Sequence, residues 1–353
     1  MANFLSDVCK GIDNTNVIDE GKNSSEYSGS IDTGCYALNA LISGSIYGGV
    51  PNNKITAFAG ESATGKTFFV LGILKTFLEQ NPTGGVIYFD TEAAVTKKMM
   101  SDRGIDTKRV VVSEPQSIEE FRTNATRMLD SYNKGDEKPP MMMVLDSLGM
   151  LSSNKELEDV ESGKAARDMT KAQLLRGTFR VLSLKLAKAN VPLLITNHVY
   201  DVVGAYIPTK EISGGSGLKY AASSIAMLSK KKDRDESTKE LIGNIIKVTM
   251  FKSRFTKEGK KVEVKLSFDK GLDRYFGLLD IAEKYGIIKK VSTRYELPDG
   301  SKVFGKAINA NPEKYFTEET LLAIEEACKK EFQYGAEEEP EQLMEEDEVD
   351  HEV

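Results

Sequence analysis

Gly60-Glu61-Ser62-Ala63-Thr64-Gly65-Lys66-Thr67 fits the pattern G-x-x-x-x-G-K-[ST] without a gap. Ile55-Thr56-Ala57-Phe58-Ala59 before it reads as a strand, and Thr67 to Gln80 after it reads as a helix. That context is what a phosphate-binding loop requires. Glycines at both ends let the backbone fold tightly enough for successive N–H groups to point at one anion. The helix opening at Lys66 adds its positive dipole end. Lys66 is placed to reach the β- and γ-phosphates of a nucleotide, and the Thr67 hydroxyl to sit on Mg²⁺.

Working outward, the 353 residues suffice for one large core and a smaller appendage. Charged residues at 29% and hydrophobic residues at 40% are ordinary for a globular chain. No apolar run approaches the roughly 18 residues of a spanning helix, so no membrane role is expected. The start, Met1 to Asp7, lacks the basic and apolar parts of a signal peptide. Cys9, Cys35 and Cys328 are scattered and read as free thiols in a reducing, cytoplasmic setting. With only His198 and His351, neither a zinc site nor a histidine-based triad is expected.

Charge is unevenly spread. Residues 337–353 hold ten acids and no Lys or Arg, and removing them from the net charge of −7 leaves +3 for residues 1–336. Such a block is expected to be disordered, either as a solubility device or as a competitor for a basic groove. At the other end Phe4, Leu5, Val8 and Ile12 form a short apolar stripe, followed by a polar linker over 23–30. A stripe this short must dock on its own core or on a neighbouring subunit.

Between the ends the pattern alternates. Strands are expected at Gly85–Asp90, Val110–Val112, Met141–Asp146 and Val191–Asn197. Helices are expected over Lys97–Arg103, Ile118–Tyr132 and Ala165–Ala189. Continuous apolar strands separated by helices predict an α/β fold with a mostly parallel sheet covered on both faces. Ser223–Leu228, Ile245–Phe251 and Val262–Phe268 follow at short spacing and are expected to extend the sheet antiparallel. Residues 276–334 read as a small α+β unit, with helices near Leu278–Tyr285 and Glu318–Phe332 and a polar hairpin between them. The expected organisation is an assembly segment and linker over 1–32, a core over 33–270, a small domain over 271–335 and an acidic tail over 336–353.

Asp146, after four apolar residues, suits the second Mg²⁺-organising carboxylate, since the C-terminal end of a central strand faces the crevice holding the loop. A helix N-cap is the alternative use of Asp146. Glu92 lies two residues past Asp90 on the same rim, where a carboxylate can hold water in line with the γ-phosphate. First-turn helix charge is its ordinary alternative.

These residues together with Tyr88-Phe89-Asp90-Thr91-Glu92, Val144-Leu145-Asp146-Ser147, Ile195-Thr196-Asn197-His198 and Gly214-Gly215-Ser216-Gly217-Leu218-Lys219-Tyr220 carry a family resemblance. Their order and spacing resemble RecA recombinases, most closely the T4-type phage branch, UvsX. The resemblance runs from about residue 31 to 335. It implies a RecA-type P-loop core using ATP and Mg²⁺, with Glu92 as the catalytic carboxylate and Lys66 on the transferring phosphoryl group. It makes His198 the sensor between γ-phosphate and a DNA loop, where bacterial RecA has glutamine. A histidine, unlike glutamine, titrates near neutral pH. Lys252 and Arg254 match paired lysines that reach the neighbouring subunit's ATP, and the arginine keeps the charge while adding bidentate capacity. Met99 falls where bacterial RecA stacks a tyrosine on adenine.

Two segments on the ligand rim, about Glu156–Lys164 and Tyr200–Gly217, are expected to be DNA-facing loops. Arg167, Thr170 and Lys171 follow the first, and Arg167 and Lys171, four apart, supply cations. In the second, Gly214 and Gly215, followed by Ser216, let backbone N–H groups approach phosphates, and Val203 or Ile207 can wedge between bases. Leu174 stands where the resemblance expects a DNA-binding arginine, with Arg176 out of register. The resemblance implies a DNA-dependent ATPase that forms helical filaments on single-stranded DNA, pairs it with homologous duplex and exchanges strands in recombination and repair. A single-strand-binding protein and a mediator protein are the further partners it implies, in the cytoplasm of a bacterial host if the chain is phage-encoded. A hexameric helicase-type ATPase and an ATP-binding assembly factor without strand exchange are the alternatives.

Overall fold

The structure is a computed structural model and describes residues 29–163, 170–201, 210–234, 241–267 and 271–335. The apolar N-terminal stripe, the acidic tail, Arg167, Val203 and Ile207 lie outside the described residues.

Ser30–Ile31 (β1) and Val50–Pro51 (β2) pair antiparallel on either side of helix Tyr36–Ser43 (α1) in sequence. Ile55–Gly60 (β3) leads through the loop into Lys66–Gln80 (α2). Gly85–Asp90 (β4), Lys97–Ser101 (α3), Val110–Ser113 (β5), Ile118–Lys134 (α4) and Met141–Asp146 (β6) continue the expected alternation. Then come Asn154–Glu161 (α5), Lys171–Ala189 (α6), Leu193–Asp201 (β7), Lys210–Ile212 (β8) and Ser216–Ala221 (α7). Ser224–Arg234 (β9), Leu241–Ser253 (β10), Lys261–Ser267 (β11) and Gly271–Leu272 (β12) extend the sheet. Leu278–Lys284 (α8), the strands Lys289–Val291 (β13), Arg294–Glu296 (β14) and Lys302–Val303 (β15), and helices Gly305–Ala310 (α9), Pro312–Tyr315 (α10) and Glu318–Phe332 (α11) follow.

Across the main sheet the order is β12-β11-β10-β9-β3-β7-β6-β4-β5, with β8 folded back on β7. The strands from β9 to β5 are parallel, as their unbroken apolar runs require, because both faces are covered. Phe58, Val86 and Tyr88 pack into one core with α1, α2 and the C-terminal helices. Ala57, Phe89 and Leu145 pack into the other with α4 and α6. The C-terminal helices share the first core, and the Glu325 carboxylate accepts the backbone N–H of Ile46 at 2.7 Å. Among the described residues no helix is long and apolar enough to cross a membrane. Cys35 and Cys328 are buried free thiols, and burial pushes the Cys35 thiol up to about 12.

Four expectations need correction. The antiparallel extension holds for β9–β10, β10–β11 and β11–β12, but β9 itself lies parallel beside the P-loop strand β3. The first expected DNA loop is helical over Asn154–Glu161, because Ser153 and Glu156 form a reciprocal capping box that nucleates a turn there. In the second, β7 runs on to Asp201 and pairs with Lys210–Ile212, so hydrogen-bonded strand replaces part of the loop. The hairpin between the C-terminal helices is a three-stranded sheet followed by α9 and α10.

Candidate active site

Register sets the rim. Gly60 pairs with His198 across β3–β7, and Asp90 pairs with Asp146 across β4–β6, so the loop, the histidine and both aspartates end at one edge of the sheet. The loop itself needs its special residues. Gly65 (φ 89°) and Ala63 (φ 56°) adopt left-handed backbone, and a Cβ on Gly60 would lie 2.7 Å from the Leu228 carbonyl oxygen. The Lys66 ammonium is buried inside the curl, donating to the carbonyls of Gly60 at 3.2 Å and Glu61 at 2.9 Å. Burial lowers its pKa, against the opposing pull of Glu92 and Asp146. Lys230 from β9 donates to the Ala63 carbonyl, a contact with no signal in the sequence.

Asp146 is not a helix cap. Its carboxylate accepts from the hydroxyls of Thr67 and Tyr88, both at 2.7 Å, and from that of Thr196. Burial, reinforced by the Asp146 charge, pushes the Tyr88 phenol well above its ordinary value, so it stays a donor. The Asp146–Ser147 peptide is cis. Tyr88 and Thr196 escaped sequence reasoning, although a hydroxyl in a buried strand end beside Asp146 was the available signal. Thr67 and Asp146 fit Mg²⁺, which typically takes one or two carboxylates plus substrate phosphates and keeps its remaining waters. Met99 is half-buried against the first core on α3.

Glu92 sits on a short loop stapled from below. Asp90 accepts the backbone N–H groups of Glu92 at 3.1 Å and Val95 at 2.9 Å. The Glu92 carboxylate accepts the Ser147 hydroxyl at 2.7 Å and meets His198 Nε2 at 3.0 Å. Burial alone would raise its pKa, but the hydrogen bonds from Ser147 and His198 and the Lys66 charge hold it below the usual carboxylate range. His198 Nδ1 lies 3.4 Å from the Lys66 ammonium. An ammonium only donates and a carboxylate only accepts, so the neutral tautomer with its proton on Nε2 satisfies both contacts. His198 therefore bridges Lys66 and Glu92. Its own backbone carbonyl accepts from Ser213 N at 2.9 Å, and the Asn197 side chain donates to the Ser213 carbonyl at 2.7 Å. The end of the second loop is thus tied to the strand carrying His198.

The remaining expected residues lie elsewhere. Gly214 (φ 84°) packs so closely that a Cβ would stand 3.3 Å from both Leu148 and Leu175, and Gly215 (φ 65°) leads into α7 at Ser216. Thr170 precedes α6. Lys171 is ion-paired with Glu156 at 3.0 Å, so its charge is partly spent within the chain. Lys252 and Arg254 are not at the rim. Lys252 pairs with Ile225, which pairs with Ala57, three residues before the loop starts. Their side chains cap the C-terminal end of α7: Lys252 donates to the carbonyls of Lys219 and, at 2.8 Å, Ala222, and Arg254 to that of Tyr220 at 3.1 Å.

Set against known proteins, residues 1–273 match the RecA N-terminal domain family. The chain belongs to the RecA family. The "Recombination and repair protein" of Enterobacteria phage T4 is 31% identical over 253 residues, 72% of this chain and 63% of that protein. The match thus spans less than two thirds of the T4 protein. RecA of Mycoplasma mycoides subsp. mycoides is 30% identical over 70% of this chain and 69% of its own, and RecA of Malacoplasma penetrans is 28% identical over 69% and 71%. Nucleotide binding is the property that RecA-family membership carries to this chain.

Proposed function

We propose that this RecA-family chain is a DNA-dependent ATPase that assembles on single-stranded DNA, pairs it with homologous duplex and exchanges strands. The bridge from Lys66 through His198 to Glu92 carries the reading. It joins the phosphate lysine to a carboxylate able to orient water, on a strand tied to the end of the second loop. In this reading Lys66 and the loop N–H groups bind the β- and γ-phosphates of ATP. Thr67 and Asp146 hold Mg²⁺, which supplies charge neutralisation at the phosphates. Glu92 positions the attacking water, and Met99 gives the base an apolar contact. Thr170, Lys171, Gly214, Gly215 and Ser216, with Arg167 and Val203, face DNA. Lys252 and Arg254 complete a neighbour's phosphate site.

The T4 relative's name, a recombination and repair protein, supports this over a helicase or a passive assembly factor. The test is ATP hydrolysis with and without single-stranded DNA, followed by strand exchange between a circular single strand and homologous linear duplex. The expected result is stimulation by the single strand and joint-molecule formation. Stimulated hydrolysis without joint molecules would favour a motor or an assembly factor.

A further inference from the structure

Helices α4 and α6 pack side by side, and a groove of about 630 Å³ opens between them. Arg122 of α4 and Arg176 and Arg180 of α6 line it together, against one acid, Glu119. The Glu119 carboxylate already accepts the backbone N–H of Asn154 at 3.2 Å. Among the described residues the side chains of the three arginines take part in no ion pair or hydrogen bond. A guanidinium is always charged and carries five donors, so three unpaired ones sharing a groove repel each other until an anion arrives.

Three observations say which anion. Arg176 and Arg180 are one helical turn apart along the groove, a ladder suited to a chain of charges rather than a single ion. Gly177 lies between them, and a Cβ there would meet nothing within 4 Å, so the path beside the ladder is open. The groove also reaches both expected DNA loops. Thr170, a few residues past the first, lines it. At the end of the second, a Cβ on Gly217 would lie 3.0 Å from Arg176 N and 3.3 Å from Arg176 Cγ, so that turn rests on Arg176 itself.

We infer that Arg122, Arg176 and Arg180 form a phosphate track for single-stranded DNA. The inference rests on the proposed DNA-binding function. It adds residues from α4 and the middle of α6 to a site otherwise expected in the two loops and at the start of α6.

Two experiments on the full chain test it. The first measures binding of a fluorescein-labelled oligothymidylate by anisotropy, with a slowly hydrolysed ATP analogue, across a salt series. The neutral variant Arg122→Gln/Arg176→Met/Arg180→Gln keeps the side-chain stems, and a triple Arg→Lys variant keeps the charge. At roughly 0.7 counterions per single-strand contact, the neutral variant's log–log salt slope should be shallower by about 2, with the lysine variant close to wild type. Between 50 and 200 mM salt, wild type should then lose on the order of twenty-fold more affinity than the neutral variant. The second experiment needs no variant. Phenylglyoxal modification of wild type, read by peptide mass spectrometry, should show the three arginines protected by oligothymidylate but not by inorganic phosphate or by nucleotide-driven assembly without DNA. Protection by phosphate alone, by duplex alone or by assembly alone would overturn the track. So would an unchanged salt slope in the neutral variant. A wild type that binds no oligonucleotide would instead remove the DNA-binding reading, and the track with it.

Discussion

The two ends of the β3 strand treat their charged groups differently. At the C-terminal end Lys66, Glu92, Asp146 and His198 are bonded to one another or to the loop within one chain. Every group that hydrolysis would use there is already aimed. At the N-terminal end Lys252 and Arg254 spend their donors on three backbone carbonyls at the end of α7. The register puts Lys252 three residues short of the loop and two strands aside, about 10 Å along the sheet and about 10 Å across it. These cations cannot serve their own chain's phosphates. In the proposed assembly they serve another copy, and to do so they must release α7, whose first turn follows the glycines of the second loop. The difference teaches that the rim is assembled within one chain, whereas Lys252 and Arg254 are held away from it, as the proposed completion by a neighbour requires.

That contrast can be broken at several points. The largest effect is expected from Lys66→Ala, which removes the buried cation on the transferring phosphoryl group and should lower single-strand-stimulated turnover by about 10³-fold or more. Wild-type-like hydrolysis would show that the rim is not the chemical site. Glu92→Gln should cost about 10²- to 10³-fold in turnover while leaving nucleotide binding intact, as read by fluorescent-nucleotide titration. Loss of binding would mean that Glu92 only shapes the Asp90–Val95 loop.

The His198 bridge sharpens the comparison further. Glutamine can accept from Lys66 with its carbonyl and donate to Glu92 with its amide, but alanine can do neither. His198→Gln should keep DNA stimulation of hydrolysis within a few-fold of wild type, while His198→Ala should reduce it by about ten-fold or more. Equal behaviour of the two variants would disconnect the bridge from DNA sensing.

A smaller effect is expected away from both ends. Asp32 is ion-paired with Arg274. Burial would raise its carboxyl pKa, but bonds from Arg274, Asn39 and Gly34 hold it below the usual carboxylate range. A depressed carboxyl stabilises the fold above its unfolded pKa, and that contribution is lost as pH falls through the folded value. Asp32→Asn should therefore cost about 2 kcal/mol near neutrality and flatten the fall of Tm as pH drops below about 4. Parallel Tm–pH curves would contradict the assigned shift.

How much of this was legible beforehand follows the range of the signals. The loop, Glu92, Asp146 and the parallel strands were readable because each sits in a contiguous motif or an apolar run. Ser153 and Glu156 also formed a readable capping signature, yet the length of the segment favoured a loop and the helix was missed. The parallel seat of β9 beside β3 was not readable, since alternation in a strand shows which faces are covered and not which neighbour it takes. The Tyr88 and Thr196 bonds to Asp146, and the convergence of Arg122 with Arg176 and Arg180, bring together residues about 50 or more positions apart. Only packing reveals such groupings.

The central claim is that a rim assembled within one chain is completed by cations of the next, and mixing two defective variants tests it most directly. Glu92→Gln leaves Lys252 and Arg254 intact but its own rim slow. Lys252→Ala/Arg254→Ala leaves the rim intact but offers nothing to a neighbour. Each alone should show little single-strand-stimulated hydrolysis. In a head-to-tail assembly mixed at random in equal parts, about a quarter of the interfaces pair an intact rim with intact cations. The mixture should therefore recover up to about a quarter of wild-type turnover, whereas no recovery beyond the average of the separate variants, in mixtures shown to co-assemble, would contradict completion in trans.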